Sequence, residues 1–388
     1  MRNLRFGRAA LIFLVACSAC AKEEIVPEPY QPSSAWDAYR HGLDEAGLAS
    51  TALARDWIAA AASVAEDPVR LQLPYRERGA FDARAAHASG YGFTALRGQR
   101  IEVVVDLEVD APVRLFLDLF RIQPDAEPLH VASAPATEAR LAFEPRRDAE
   151  YLLRLQPELL RGGEFELEMR LVASLEFPVE EHDVTDIQSA FGAARDAGRR
   201  THHGVDIFAR RGTPALAASR AYVRRVGEQR LGGNVVWLQD RERDLRLYYA
   251  HLESQAVEEG SWVEPGDVIG YVGNSGNART TPPHLHFAIY SDGPIDPMNF
   301  LRQPRSDPTA VSADASRLGS WGITMPDETS LHQRPSRRSD ALRQLGAGTP
   351  LRIWAATGGY YRVALADGTP GFLRDTLIGD PPSASDAQ

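Results

Sequence analysis

The chain has 388 residues, 44% hydrophobic and 25% charged, which is ordinary globular composition at a length that predicts several domains. Its net charge of −10 argues against a nucleic-acid-binding protein, because such proteins need a basic surface that displaces counterions. The two cysteines, Cys17 and Cys20, lie near the N-terminus. The rest of the chain therefore holds no disulfide, and a metal site there must be built from His, Asp and Glu.

The first residues have the pattern of a targeting signal. Three arginines among the first eight residues precede the apolar run 9–16, which is too short to span a bilayer as a helix. Residues 14–17 read LVAC and resemble the lipobox of bacterial lipoproteins, which implies cleavage before Cys17 and a lipid on that cysteine. An ordinary signal peptide with a coincidental cysteine is the alternative. We therefore expect a signal peptide at 1–17, a Pro- and Glu-rich tether at 18–34 and attachment to a membrane through the lipid.

Two structured segments follow the tether. Apolar residues recur with helical spacing in residues 35–70, which predicts a helical segment. Residues 71–172 alternate apolar and polar side chains in short runs separated by Gly, Pro and Asp, which predicts an antiparallel β-sandwich. No motif in this predicted sandwich is specific to a chemistry, so we expect a spacer or a substrate-orienting module.

The C-terminal part of the chain begins with a polar linker rich in Pro, Ser and Asp at 303–317. Short β-segments resume at 318–380 and resemble a bacterial SH3-like domain, which implies a small barrel that targets the cell wall. The last residues, 381–388, have the composition of a disordered tail. Three aromatic side chains of this domain suit stacking on sugar or peptide, although the core of a small barrel is their commoner place: Trp354, Tyr360 and Tyr361.

Histidines are concentrated in one part of the chain, since five of the ten lie between residues 202 and 286. Two histidine nitrogens and one carboxylate oxygen are the ligand set of hydrolytic zinc sites that keep a fourth position open for water. Two further imidazoles nearby would take up a proton and stabilise the oxyanion, as amide hydrolysis requires. Three short patterns hold these histidines: HHGVD at 202–206, YAHL at 249–252 and PHLHF at 283–287.

The spacing within these patterns favours shared faces. In an extended chain, residues two or four apart project to the same side, so His202 and Asp206 share one face and His284 and His286 another. Gly204 leaves room for a close neighbour between the first two. Each pattern alone is more often a polar strand face than a metal site, so the prediction of a zinc centre rests on their combination.

Residues 173–302 closely resemble the lysostaphin- or LytM-type zinc metalloendopeptidases. The resemblance is carried in order by RRTHHGVDIFARRGTPALAA, GGNVVWL, LYYAHL and GSWVEPGDVIGYVGNSGNARTTPPHLHFAIY. It implies a compact antiparallel β-sheet with a groove and Zn²⁺ on the groove floor. It also implies three zinc ligands, His202, Asp206 and His286. Two catalytic residues beside the metal are implied as well, His251 and His284.

Taken together, these patterns predict a mainly β, multidomain protein. We expect an antiparallel β-sheet metallopeptidase domain, preceded by a helical segment and a β-sandwich and followed by an SH3-like barrel. The resemblance implies hydrolysis of peptide cross-links in bacterial peptidoglycan by a lipid-anchored protein of the cell envelope, on the periplasmic side of a Gram-negative membrane. Two alternatives remain: a non-catalytic activator or binding protein of wall hydrolases, and a protease of secreted proteins. The complete ligand set favours an enzyme, whereas the bond cut and any protein partner are not indicated.

Overall fold

The computed structural model describes residues 30–108, 112–135, 137–195, 198–304 and 306–381. Cys17, the expected site of lipid attachment, lies outside these residues. The described part is mainly β, as the sequence predicts, with few and short helices. None of the helices in this part is long and apolar enough to cross a membrane.

Two helices open the described chain, α1 at Ala35–Glu45 and α2 at Ala52–Ser63. Each begins at a hydroxyl side chain that accepts a backbone N–H of the first turn, Ser34 for α1 and Thr51 for α2. Trp57 of α2 is almost fully buried, and its indole N–H donates to a backbone carbonyl of the following domain at 2.8 Å. The helices are therefore packed onto the β-sandwich rather than free of it.

The sandwich consists of two sheets that enclose one apolar core. Its first sheet has the order β1-β3-β8-β5-β6, and its second contains β7-β4-β9-β2. Val103 and Met169 are paired across the second sheet and are buried, as alternation of faces requires. The strands are β1 Val69–Arg70, β2 Tyr75–Phe81, β3 Ser89–Ala95, β4 Gln99–Glu108, β5 Leu115–Gln123, β6 Ala126–Ser133, β7 Arg140–Phe143, β8 Ala149–Pro157 and β9 Gly163–Ala173.

The central domain is built on a twisted antiparallel sheet with the order β10-β13-β20-β17-β16-β15-β18, flanked by the pair β14–β19 and by β21. One face of this sheet packs on an apolar core that includes Tyr249 and Phe287, while the other face forms the floor of a cleft. The elements are β10 Ile187–Ser189, β11 Ala194–Arg195, β12 Arg200–Thr201, β13 Val205–Phe208, β14 Pro214–Leu216, β15 Ala221–Gln229, β16 Gly233–Asp240, β17 Leu245–Gln255, β18 Trp262–Val263, β19 Val268–Val272, β20 His284–Tyr290, β21 Pro294–Ile295 and α3 Met298–Leu301.

The C-terminal module has the strand order β24-β23-β27-β26-β25, with β22 paired to both β25 and β28. Within the described residues these strands form an open sheet, and no closed barrel is found. Tyr361 is buried in the module's core, and Trp354 packs on His87 of the sandwich at 4.8 Å between ring centroids. The strands are β22 Trp321–Thr324, β23 Thr329–His332, β24 Ala341–Leu345, β25 Pro350–Thr357, β26 Tyr360–Leu365, β27 Pro370–Arg374 and β28 Ile378–Gly379.

The sandwich and the C-terminal module share one continuous sheet of eleven strands, because β2 pairs antiparallel with β25. A buried ion pair reinforces the junction: the guanidinium of Arg362 donates to both carboxylate oxygens of Glu77 at 2.8 and 3.0 Å. The hydroxyls of Tyr75 and Tyr91 donate to the same carboxylate at 2.6 and 2.7 Å. The two modules are thus packed together through a buried cluster of hydrogen-bonded polar side chains.

Candidate metal centre

Strand pairing brings the predicted ligands together. Asp206 on β13 lies directly opposite His286 on β20, and His202 directly follows β12, three residues before the start of β13. A Cβ atom on Gly204 would lie 2.4 Å from the carbonyl oxygen of Phe287 and 2.9 Å from the His286 ring. Glycine is therefore required at position 204, where the chain passes close to β20. This close approach brings the side chains of His202, Asp206 and His286 together.

The three donor atoms form an almost equilateral triangle. Asp206 Oδ1 lies 3.0 Å from His202 Nε2 and 3.0 Å from His286 Nδ1, and these two nitrogens are 3.0 Å apart. A tetrahedral zinc with bonds of about 2.0–2.1 Å separates its ligands by about 3.3 Å. The donor set and its spacing therefore fit one Zn²⁺ ion with a fourth position left for water or substrate.

Neighbouring groups fix which atom each ligand offers. The Nδ1–H of His202 donates to the carbonyl of Ala190 at 2.9 Å, which leaves Nε2 for a metal. Arg195 on β11 donates to Asp206 Oδ2 at 2.5 Å and to the hydroxyl of Ser189 at 2.6 Å. Because the guanidinium occupies Oδ2, the carboxylate presents Oδ1 to the metal position.

Electrostatics keep these groups in their metal-binding forms. Burial alone would raise the pKa of Asp206, but hydrogen bonds with His202 and His286 outweigh burial and hold that pKa well below its usual range. Burial lowers the pKa of His286, although Asp206 opposes this shift. A carboxylate and a neutral imidazole are the forms that bind a cation, so Asp206 and His286 carry the right charges for a metal at neutral pH.

The two predicted catalytic histidines lie side by side next to the cluster. The ring centroids of His251 and His284 are 5.1 Å apart, and that of His251 is 5.9 Å from that of His286. Both Nδ1–H groups donate to backbone carbonyls, of Ser275 for His251 at 3.0 Å and of Pro282 for His284 at 2.9 Å. Burial, helped by the other two histidines, lowers the pKa of His251 to about 4. Both side chains therefore keep Nε2 for a substrate or water.

A bulge in β17 turns His251 into the cleft. Between two regular pairs, Ala250 and His251 together face Val235 alone, and His251 has a left-handed backbone with φ of +63°. Tyr249 before the bulge and Leu252 after it are both fully buried in the core. Strict alternation would send His251 into the core beside Tyr249, so the bulge is what delivers its imidazole to the metal side.

The cluster lies in a cleft of about 640 Å³. One side of the cleft is aromatic: the ring of Trp237 is 4.3 Å from that of Tyr248 and 5.5 Å from that of Tyr290. His203, the neighbour of the predicted ligand, is exposed at the rim and stands outside the donor triangle. Sequence reasoning missed Arg195 and this aromatic wall. These rings lie side by side because β16 pairs with β17 and β17 pairs with β20. A prediction of that strand pairing would have revealed the aromatic wall.

Comparisons with known proteins match the segment of the chain that contains this site. Residues 200–297, which include all five site residues, match the model of Peptidase family M23. The L-Ala–D-Glu endopeptidase of Bacillus subtilis is 37% identical over 139 residues, 32% of this chain and 42% of that protein. The peptidoglycan DD-endopeptidase ShyC of Vibrio cholerae is 33% identical over 94 residues, 24% of this chain and 21% of that protein.

Among solved structures, the catalytic domain of lysostaphin from Staphylococcus simulans is 33% identical, with 29% of this chain and 87% of that chain covered at a TM-score of 0.27. The chain spans less than half the length of the two curated relatives described above. The match lies in the central domain, where the donor triangle and both neighbouring histidines lie. Residues 200–297 of the chain are therefore similar to Peptidase family M23.

Proposed function

We propose that this protein is a zinc-dependent endopeptidase that hydrolyses peptide cross-links of bacterial peptidoglycan. The observation that carries the proposal is the donor triangle of His202, Asp206 and His286 with two further imidazoles in the same cleft. Relatives of the matched segment are named as endopeptidases, and one of those names includes peptidoglycan. An activator without catalysis would have no use for the complete set of five side chains.

We propose His202, Asp206 and His286 as the zinc ligands. A bound Zn²⁺ supplies Lewis-acid polarisation of a carbonyl and lowers the pKa of a water molecule. Arg195 holds the Asp206 carboxylate so that one oxygen is offered to the ion. The low pKa of that carboxyl keeps it ionised throughout the neutral range.

We propose His251 and His284 as the catalytic residues that move protons. Both imidazoles have Nδ1–H committed to a carbonyl, so Nε2 is the atom that faces the reaction. At neutral pH His251 is uncharged and its Nε2 accepts a proton from the attacking water. His251 then gives this proton to the leaving amine, and His284, whose ring centroid lies 5.1 Å from that of His251, aids the charged intermediate.

We also propose a separate role for each segment of the chain. Residues 1–17 would be a lipoprotein signal peptide whose Cys17 is lipidated, and 18–34 a tether that places the folded part in the cell envelope. The segment 35–70 and the sandwich at 71–172 would support the peptidase domain at 173–302. The linker at 303–317 and the SH3-like module at 318–380 would contact the wall. The lipobox-like residues 14–17 support the anchor.

Zinc analysis together with wall digestion tests the proposal. The purified protein should contain about one zinc per chain and should release cross-linked peptides from purified peptidoglycan. A chelator should abolish that release, and added Zn²⁺ should restore it. Mass spectrometry of the fragments would then name the bond. Zinc binding without any cleavage of peptidoglycan would instead favour a regulatory role, and cleavage of casein but not of peptidoglycan would favour a general protease.

A further inference from the structure

A second cleft lies at the junction of the sandwich and the C-terminal module and has a volume of about 560 Å³. The start of β2 forms one wall. The loop 334–339 between β23 and β24 and the turn 357–360 between β25 and β26 form the other wall. Among the described residues, none lines both this cleft and the metal cleft. The junction cleft is therefore a separate site.

The lining of the junction cleft is basic, with no Asp or Glu among its described residues. Arg76 is held by Glu168 on the neighbouring strand, and the largely exposed Arg70 lies 3.9 Å from the carboxylate of Glu150. In the described part of the chain, no carboxylate pairs with Arg334 or Arg338. Four guanidinium groups line this cleft in a chain whose net charge is −10: Arg70, Arg76, Arg334 and Arg338.

The walls of the junction cleft are held in place by buried contacts. The hydroxyl of Ser339, which is buried, accepts the N–H of Arg334 at 3.2 Å and lies 3.1 Å from its carbonyl. The floor residue Tyr75 donates to Glu77, the carboxylate that also pairs with Arg362 across the junction. A cleft formed in advance loses less conformational entropy when a ligand binds.

We infer that the junction cleft binds an acidic peptide, a short chain with several free carboxylates. Guanidinium groups bind carboxylates with paired hydrogen bonds. Apolar lining residues between the arginines suit a peptide better than a phosphate polymer, which has no side chains to place there: Leu71, Pro74 and Pro335. Given the proposed function, on which the identity of the ligand rests, this peptide is the uncleaved stem of peptidoglycan. The junction cleft then holds one part of the wall while the metal cleft acts on another.

Binding of a defined stem peptide tests the inference. The full chain, treated with chelator so that nothing is cleaved, is titrated calorimetrically with L-Ala-γ-D-Glu-meso-diaminopimelic acid. Replacing both Arg334 and Arg338 by Gln should raise Kd about tenfold or more. Arg337→Gln is the matched control, because Arg337 is exposed in the same loop but does not line the cleft; its Kd should equal that of the unmodified chain. Added salt should weaken binding by the unmodified chain.

Two further probes decide the ligand class. The same peptide with its carboxyls amidated should bind at least about tenfold more weakly, and poly(glycerol phosphate) should not compete. An unchanged Kd in the double variant, equal binding of the amidated peptide, or binding of the phosphate polymer in place of the peptide would each overturn the inference. If the double variant unfolds, the single variant Arg338→Gln, at an exposed position, replaces it in the titration. Digestion by the zinc-loaded unmodified chain is scored separately, so failure of catalysis leaves this binding result interpretable.

Discussion

At the scale of single residues, the two kinds of histidine in the metal cleft should separate by experiment. His202→Ala removes one corner of the donor triangle, so we expect loss of bound zinc and of activity together. His284→Ala keeps the triangle and removes an imidazole beside it, so zinc should remain while turnover is lost. Metal analysis and peptidoglycan digestion measure both. His203→Ala, next to the ligand but outside the triangle, should retain zinc, and full activity of His284→Ala would refute its role.

Arg195 offers a second test at this scale, because it acts on the metal through Asp206. Its guanidinium donates to Asp206 Oδ2 and to Ser189. Arg195→Gln should therefore weaken zinc affinity by about 10–100-fold, the usual cost of losing a hydrogen bond to a metal ligand. Competition with a chromophoric chelator measures this affinity. Arg210→Gln, an exposed position outside the cleft, should leave it unchanged. Equal affinities for both variants would show that Arg195 does not orient the carboxylate.

At the scale of a strand, the bulge in β17 makes a prediction about stability. A left-handed backbone costs ordinary residues about 1–2 kcal/mol, and β-branched residues suffer most while Asn is tolerated. His251→Val should therefore be less stable than His251→Asn by about that amount, measured as the midpoint of denaturant unfolding. The matched pair His284→Val and His284→Asn, in the regular strand β20, should show no such penalty for Val. If the Val variant were less stable than the Asn variant at both positions, the penalty at His251 could not be attributed to the bulge.

The strands also show what sequence reasoning could reach. Alternation predicts one shared side for His202 with Asp206 and one for His284 with His286, and all four side chains line the metal cleft. Alternation cannot predict His251, since one extra residue in β17 reverses its side. Arg195 was missed for a related reason: it contacts Asp206 from the separate β11–β12 hairpin, and sequence spacing says nothing about where such a hairpin lies.

At the scale of the whole molecule, stability should depend on the ion pair that joins the sandwich to the C-terminal module. Arg362→Met leaves the buried carboxylate of Glu77 without its cation, which costs about 3–5 kcal/mol. Denaturant unfolding followed by tryptophan fluorescence would show this as a large loss. Arg343→Met breaks an exposed pair with Asp367 and should change little. Similar stability of the two variants would mean that the junction is not held by this pair.

The junction itself was not predictable from the sequence. The composition of residues 303–317 is that of a linker, and a linker suggests modules that move independently. β2 and β25 are far apart in the chain, and the sequence of neither strand indicates which strand it pairs with. The charged residues give no better signal, because Glu77 and Arg362 read as ordinary strand positions until the fold brings them together.

The shared sheet also constrains how this protein can change over evolutionary time. Glu77 and Arg362 are 285 positions apart, yet substitution of either one alone leaves a buried charge without a partner. The two codons should therefore vary together among orthologues. Exchange of the C-terminal module by recombination would succeed only when the donor brings an edge strand that pairs with β2 and a cation for Glu77. The C-terminal module should therefore be inherited together with the sandwich that it pairs with, and not be exchanged independently.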